Sequence, residues 1–77
     1  MEKRKSMRTY EHAAAVLSQW LAARDMSAAD FSRELGIDAG IVRAILTGRR
    51  KSISTRNLYL IARFFGVSMQ QLVDTIS

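Results

Sequence analysis

Three of the four glycines in this chain stand where a helix would have to stop, and no proline interrupts the stretches between them. Each stretch opens on a side chain able to cap a helix: Ser27 leads to Gly36, Asp38 to Gly48 and Ser54 to Gly66, while Ser68 opens a last stretch beyond them. A short oxygen-bearing side chain accepts a hydrogen bond from an amide of the first turn, and glycine supplies the left-handed conformation that ends a helix. A sequence punctuated in this way is confined to short helices joined by tight links. The fold class expected is therefore all-α.

The apolar residues fall at the spacing that such helices require. A first helix is expected from Tyr10 to Ala23, because Tyr10, Ala13, Ala14, Leu17, Trp20 and Leu21 share one face. Trp20 could stack on a base, but its place beside Leu17 and Leu21 assigns it to the core. The second helix, about residues 27–35, has Ser27 as N-cap with Asp30 three positions on, and Met26 placed to staple against Phe31. The third, about residues 38–47, carries Ile41, Val42, Ile45 and Leu46 behind its cap Asp38. In the fourth, Leu58, Ile61, Ala62 and Phe65 follow Ser54, with Ile53 as the staple partner of Leu58. The fifth has a capping box in Ser68 and Gln71, a staple in Val67 and Leu72, and an apolar face of Leu72, Val73 and Ile76. Between the second and third helices only Gly36, Ile37 and Asp38 intervene. A link that short forces a steep crossing, which is helix-turn-helix geometry.

At 77 residues the chain has room for one domain, expected over residues 9–77 behind a basic arm of residues 1–8. No apolar run approaches the length needed to cross a bilayer or to form a secretion signal, so a cytoplasmic protein is expected. With no cysteine and a single histidine, His12, the chain offers no disulfide and no thiolate metal site. No carboxylate cluster stands beside His12 in sequence, so no catalytic role, metal or cofactor is expected. The net charge of +5 is unevenly spread. Lys3, Arg4, Lys5 and Arg8 form one positive cluster, and Arg43, Arg49, Arg50, Lys51, Arg56 and Arg63 form another in which no acid occurs between Ala39 and Val73. Asp25, Asp30, Glu34 and Asp38 lie between the two. Segregated positive charge suits a polyanionic partner, although charge alone would equally serve solubility.

From Ser27 to Ser68 the sequence resembles the lambda-repressor-like, or Xre-type, helix-turn-helix family of bacterial and phage regulators. The features that carry the resemblance are Ser27, Phe31 and Leu35 in the second helix, Leu35-Gly36-Ile37 at the turn, and Val42 and Ile45 in the third helix. Gly48 with the basic loop, Ile61-Ala62 and Phe65-Gly66-Val67-Ser68 complete it. The resemblance implies a five-helix domain whose third helix lies in the major groove of DNA, with Ala39, Gly40, Arg43, Ala44 and Thr47 on the DNA side. Family members often carry glutamine or serine at the positions of Ala28, Ala39 and Gly40, side chains that would grip phosphate or read base edges. Here those positions, with Ala44, offer only backbone groups, methyl contact or close approach. Arg43 can reach either a guanine edge or a phosphate, and both roles stay open.

Arg49, Arg50, Lys51 and Arg56 suit phosphate contacts, as do backbone donors at the start of the fourth helix, Ser54 to Asn57. Lys3, Arg4 and Lys5 resemble the basic arm of lambda-type repressors. The function implied is sequence-specific binding of double-stranded DNA by a transcriptional regulator of repressor type. It is expected to act as a homodimer associating through Met69, Leu72, Val73 and Ile76. The alternative is a protein-interaction module, antitoxin-type or phage-encoded, that uses the small, apolar surface around Ala39, Gly40 and Ile41. Membrane association is not expected, because no helix pairs a basic face with a large exposed apolar one.

Overall fold

Capping side chains set the helix ends in the computed structural model, which describes residues 8–77. Five helices follow one another: α1 (Ala13–Ala23), α2 (Ala28–Leu35), α3 (Ala39–Leu46), α4 (Thr55–Phe65) and α5 (Met69–Ile76). Ser27 and Ser68 each close a reciprocal capping box, with Asp30 and Gln71 respectively. Ser54 accepts from the Asn57 amide, and Asp38 from the Gly40 amide. Gly36 and Gly66 end α2 and α4 at φ 73°, and Gly48 follows α3 at φ 82°. These are left-handed conformations that a Cβ disfavours. The domain is all-α, and among the described residues no helix is long and apolar enough to cross a membrane.

The first helix is shorter than its apolar spacing predicts. Tyr10 is buried, as expected, but it precedes α1 instead of belonging to it. Its amide donates to the Lys51 carbonyl at 2.8 Å, and Thr9 forms an isolated antiparallel bridge with Ser52. Those backbone groups are therefore committed to a distant segment, and the helix begins only after a turn at Glu11 and His12. No side chain caps its start. The His12 amide instead donates to the Ile76 carbonyl at 2.9 Å, which ties the beginning of α1 to the end of α5.

Phe31, Leu17, Ile61, Leu72 and Ile76 are the largest fully buried side chains, so α1, α2, α4 and α5 all meet in one core. Phe31 lies 5.4 Å from Phe64 and 5.6 Å from Phe65, and Trp20 meets Phe65 edge-on at 4.9 Å. Trp20 is thus packed against the core, although its ring is only half-buried. α3 rests on α1 and α2, burying Val42 and Ile45.

This packing overturns part of the expected dimer contact. Leu72 and Ile76 have no exposed surface, because α5 is spent covering α1 and α4 within the same chain. Of that set only Met69 and Val73 remain half-exposed. Lys3, Arg4 and Lys5, the expected arm, lie outside the described residues.

Candidate nucleic-acid interface

Burying Val42 and Ile45 against α1 and α2 turns the opposite face of α3 outward. Helical spacing places Ala39, Gly40, Arg43, Ala44 and Thr47 on that face together. Gly40, Arg43 and Thr47 are exposed, and Ala39 and Ala44 half-buried. The long donor of the face is Arg43. Thr47 has already committed its hydroxyl proton within the helix: Oγ1 lies 2.9 Å from the Arg43 carbonyl and 3.3 Å from that of Ala44. Its oxygen can still accept, but it has no second proton to donate.

Gly40 sits against the cap of α3. The Asp38 carboxylate that caps α3 accepts from the Gly40 amide at 2.9 Å, and a Cβ on Gly40 would meet that same oxygen at 2.9 Å. A larger residue there would need only a small shift of that carboxylate, the far end of a flexible side chain. The carboxylate also puts a negative charge at the N-terminus of α3, where the helix dipole would otherwise favour an anion.

After Gly48 the chain folds back on the helix it has left, with the Arg50 amide donating to the Ala44 carbonyl at 3.1 Å. This holds Arg49 and Arg50 beside the C-terminal end of α3, both exposed. Lys51 differs from them. Its backbone carbonyl receives Tyr10, and its ammonium forms an exposed ion pair with Glu11 at 3.1 Å. Sequence reasoning missed Glu11, because the pair joins residues forty positions apart and has no local signal. Arg8 follows the same path, reaching Ser77 Oγ at 3.2 Å and lying 5.6 Å from the centroid of the Tyr10 ring.

Arg56 is exposed on the first turn of α4, whereas Asn57 is half-buried and its amide is taken by Ser54 Oγ at 3.2 Å. Of the donors expected there, Asn57 is therefore not free, and the amides of Thr55 and Arg56 have no partner among the described residues. The backbone hydrogen bonds join α3 to the loop of Arg49–Lys51 and join that loop to the segment at Thr9 and Tyr10. They keep the segment carrying Arg49, Arg50 and Lys51 against the C-terminal end of the helix that carries Arg43. No such bond joins α4 to α3 among the described residues.

The geometry thus consists of a helix with a small-residue outer face, a folded-back cationic loop, and a neighbouring helix N-terminus. The family model for the Cro/C1-type helix-turn-helix DNA-binding domain matches residues 16–77. Among solved structures the chain is similar to an addiction module antidote protein of the HigA family from Coxiella burnetii. The two are 30% identical with a TM-score of 0.77, and the match covers 90% of this chain and 75% of the other. No curated protein matches.

Proposed function

Because the chain belongs to the Cro/C1-type helix-turn-helix family of DNA-binding domains, we propose that it is a sequence-specific, non-enzymatic transcriptional regulator of repressor type. In this reading it acts in the cytoplasm as a dimer on duplex DNA. α3 enters the major groove with Ala39, Gly40, Arg43, Ala44 and Thr47 toward the bases. Arg49, Arg50, Lys51 and Arg56 hold phosphates, with Asn57 at the edge of the contact and Lys3, Arg4 and Lys5 adding charge from the N-terminal side. The observation that carries the reading is the exposed face of α3 running directly into a cationic loop, within a stretch that contains no acid from Ala39 to Val73. Cations placed beside a groove-sized helix supply affinity through phosphate neutralisation, and the helix supplies register.

A second reading is favoured by the similarity to the Coxiella burnetii antidote protein and by the near absence of hydrogen-bonding side chains on the outer face of α3. Here the chain is an antidote-type protein whose principal partner is another protein. Selection of bound duplexes from a random pool by the purified chain separates the two. An enriched motif supports the regulator, and no enrichment even at low salt supports the interaction module.

A further inference from the structure

Between α3 and α4 the chain runs through residues 47–54 without a helix, and Arg49, Arg50 and Lys51 sit in the middle of that loop. Such a segment is only as ordered as its anchors make it. Its first half is held by α3, through the Arg50 amide on the Ala44 carbonyl at 3.1 Å, and its far end by the buried side chain of Ile53. Between those two points the backbone anchor is the segment that precedes α1. The Lys51 carbonyl accepts from the Tyr10 amide at 2.8 Å, and Ser52 lies opposite Thr9 in the antiparallel bridge.

That segment is itself fixed. Tyr10 is only 5% exposed, so its amide cannot turn away from Lys51 without drawing the ring out of the core. On either side of it, the Arg8 guanidinium donates to Ser77 Oγ at 3.2 Å and the His12 amide to the Ile76 carbonyl at 2.9 Å. Residues 8 and 12 are thus tied to the end of α5, while Thr9, Tyr10 and Glu11 between them meet the loop. A loop that is free in solution must be immobilised when phosphates take it, and that ordering cost is subtracted from affinity. A loop already held does not incur it.

We propose that Tyr10 is a positioning residue for the candidate nucleic-acid interface: through its backbone amide the segment of residues 8–12 straps the Arg49–Lys51 loop in the place where it meets a duplex. The proposal rests on the DNA-binding reading of that loop. Tyr10 itself touches no DNA, and its side chain acts by fixing where its amide points.

The test replaces the Tyr10 amide by an ester, with the α-hydroxy acid analogue of tyrosine incorporated at position 10 of the full chain. This removes the N–H and keeps every side chain. Binding is titrated against a random-sequence duplex at low and rising salt. The ester should bind about two- to tenfold more weakly than wild type, the span of one backbone hydrogen bond, with the salt slope unchanged because the same cations remain. In a chain that also carries Arg49→Ala, Arg50→Ala and Lys51→Ala, the ester should cost nothing further, since no charge is left on the loop to position. Hydrogen exchange at the Arg50 amide should quicken in the ester while the amides of α4 stay protected, a readout that requires no DNA. An ester that lowers the thermal midpoint yet binds duplex as tightly as wild type makes Tyr10 a core residue alone and overturns the proposal. An equal loss of affinity in the triple-alanine chain overturns it too, because the effect then does not pass through the loop. A wild-type chain that binds no duplex at low salt overturns the DNA-binding reading, and the proposal with it.

Discussion

Arg43 is the long donor on the outer face of α3, so the discrimination available to that face depends largely on one guanidinium. Its planar fork can make two parallel bonds to guanine, whereas a lysine ammonium behaves as a point charge. Arg43→Ala should cost about 1 to 3 kcal/mol on a preferred duplex and relax choice at one base pair, and Arg43→Lys should retain affinity better than discrimination. Binding profiles over all single-base variants check this, and equal weakening at every variant would assign Arg43 to phosphate. Glu11 works in the opposite sense. Its carboxylate holds the Lys51 ammonium at 3.1 Å and competes with any phosphate for it. Glu11→Gln should tighten DNA binding by roughly 1.4- to fivefold, corresponding to the modest strength of an exposed pair, about 0.2 to 1 kcal/mol. Titrations at constant salt measure it, and unchanged affinity would show that Lys51 does not face the duplex. The candidate role of Arg43 was legible from its register on a helix with apolar positions at Val42 and Ile45. Glu11 was not, because only the folded chain brings it to Lys51.

At the scale of elements, the caps were readable because their chemistry is local: Ser27, Asp38, Ser54 and Ser68 each accept from an amide two or three residues on. The Asp30 carboxyl is held below its ordinary pKa, first by the hydrogen bond with the Ser27 side chain, then by the Ser27 amide, and more weakly by Arg33. A carboxyl that titrates lower when folded than when unfolded contributes stability fully above the unfolded value, about 3.9, and loses it as pH falls through the folded value. Asp30→Asn should therefore leave a smaller loss of stability between neutral and strongly acidic pH than wild type shows, measured by denaturant melts across that range. The start of α1 and the role of α5 were less legible, because periodicity records which side chains are apolar and not what covers them. Tyr10 fits the helical stripe but is held by Lys51, and Ile76 fits an exposed face but is fully buried. Ile76→Asp should consequently lose about 3 kcal/mol or more by burying an unpaired carboxylate, and appear as an unfolded chain instead of a folded monomer. Met69→Asp, at a half-exposed position, should remain folded, and thermal melts of the two variants separate the cases.

For the molecule as a whole, the fold holds the exposed Arg49 and Arg50 against the C-terminal end of the helix that carries Arg43, with Lys51 partly neutralised by Glu11. A duplex held by these cations releases condensed counterions, so log affinity should fall linearly with log salt, by about 0.9 for each phosphate neutralised. Replacing Arg49, Arg50 and Lys51 together with alanine should flatten that slope by roughly 2 to 3 units. The Glu11 pair places the expected loss toward the lower end, because a cation that leaves a carboxylate to meet a phosphate gains less than a free one. In a Glu11→Gln background the same triple replacement should cost the larger change, and comparing the two slopes isolates the contribution of Lys51. All of these residues are exposed, so the thermal midpoint should hardly move while the slope does. An unchanged slope in both backgrounds would show that the loop does not touch the phosphate backbone, leaving any DNA binding to α3 and the N-terminal turn of α4.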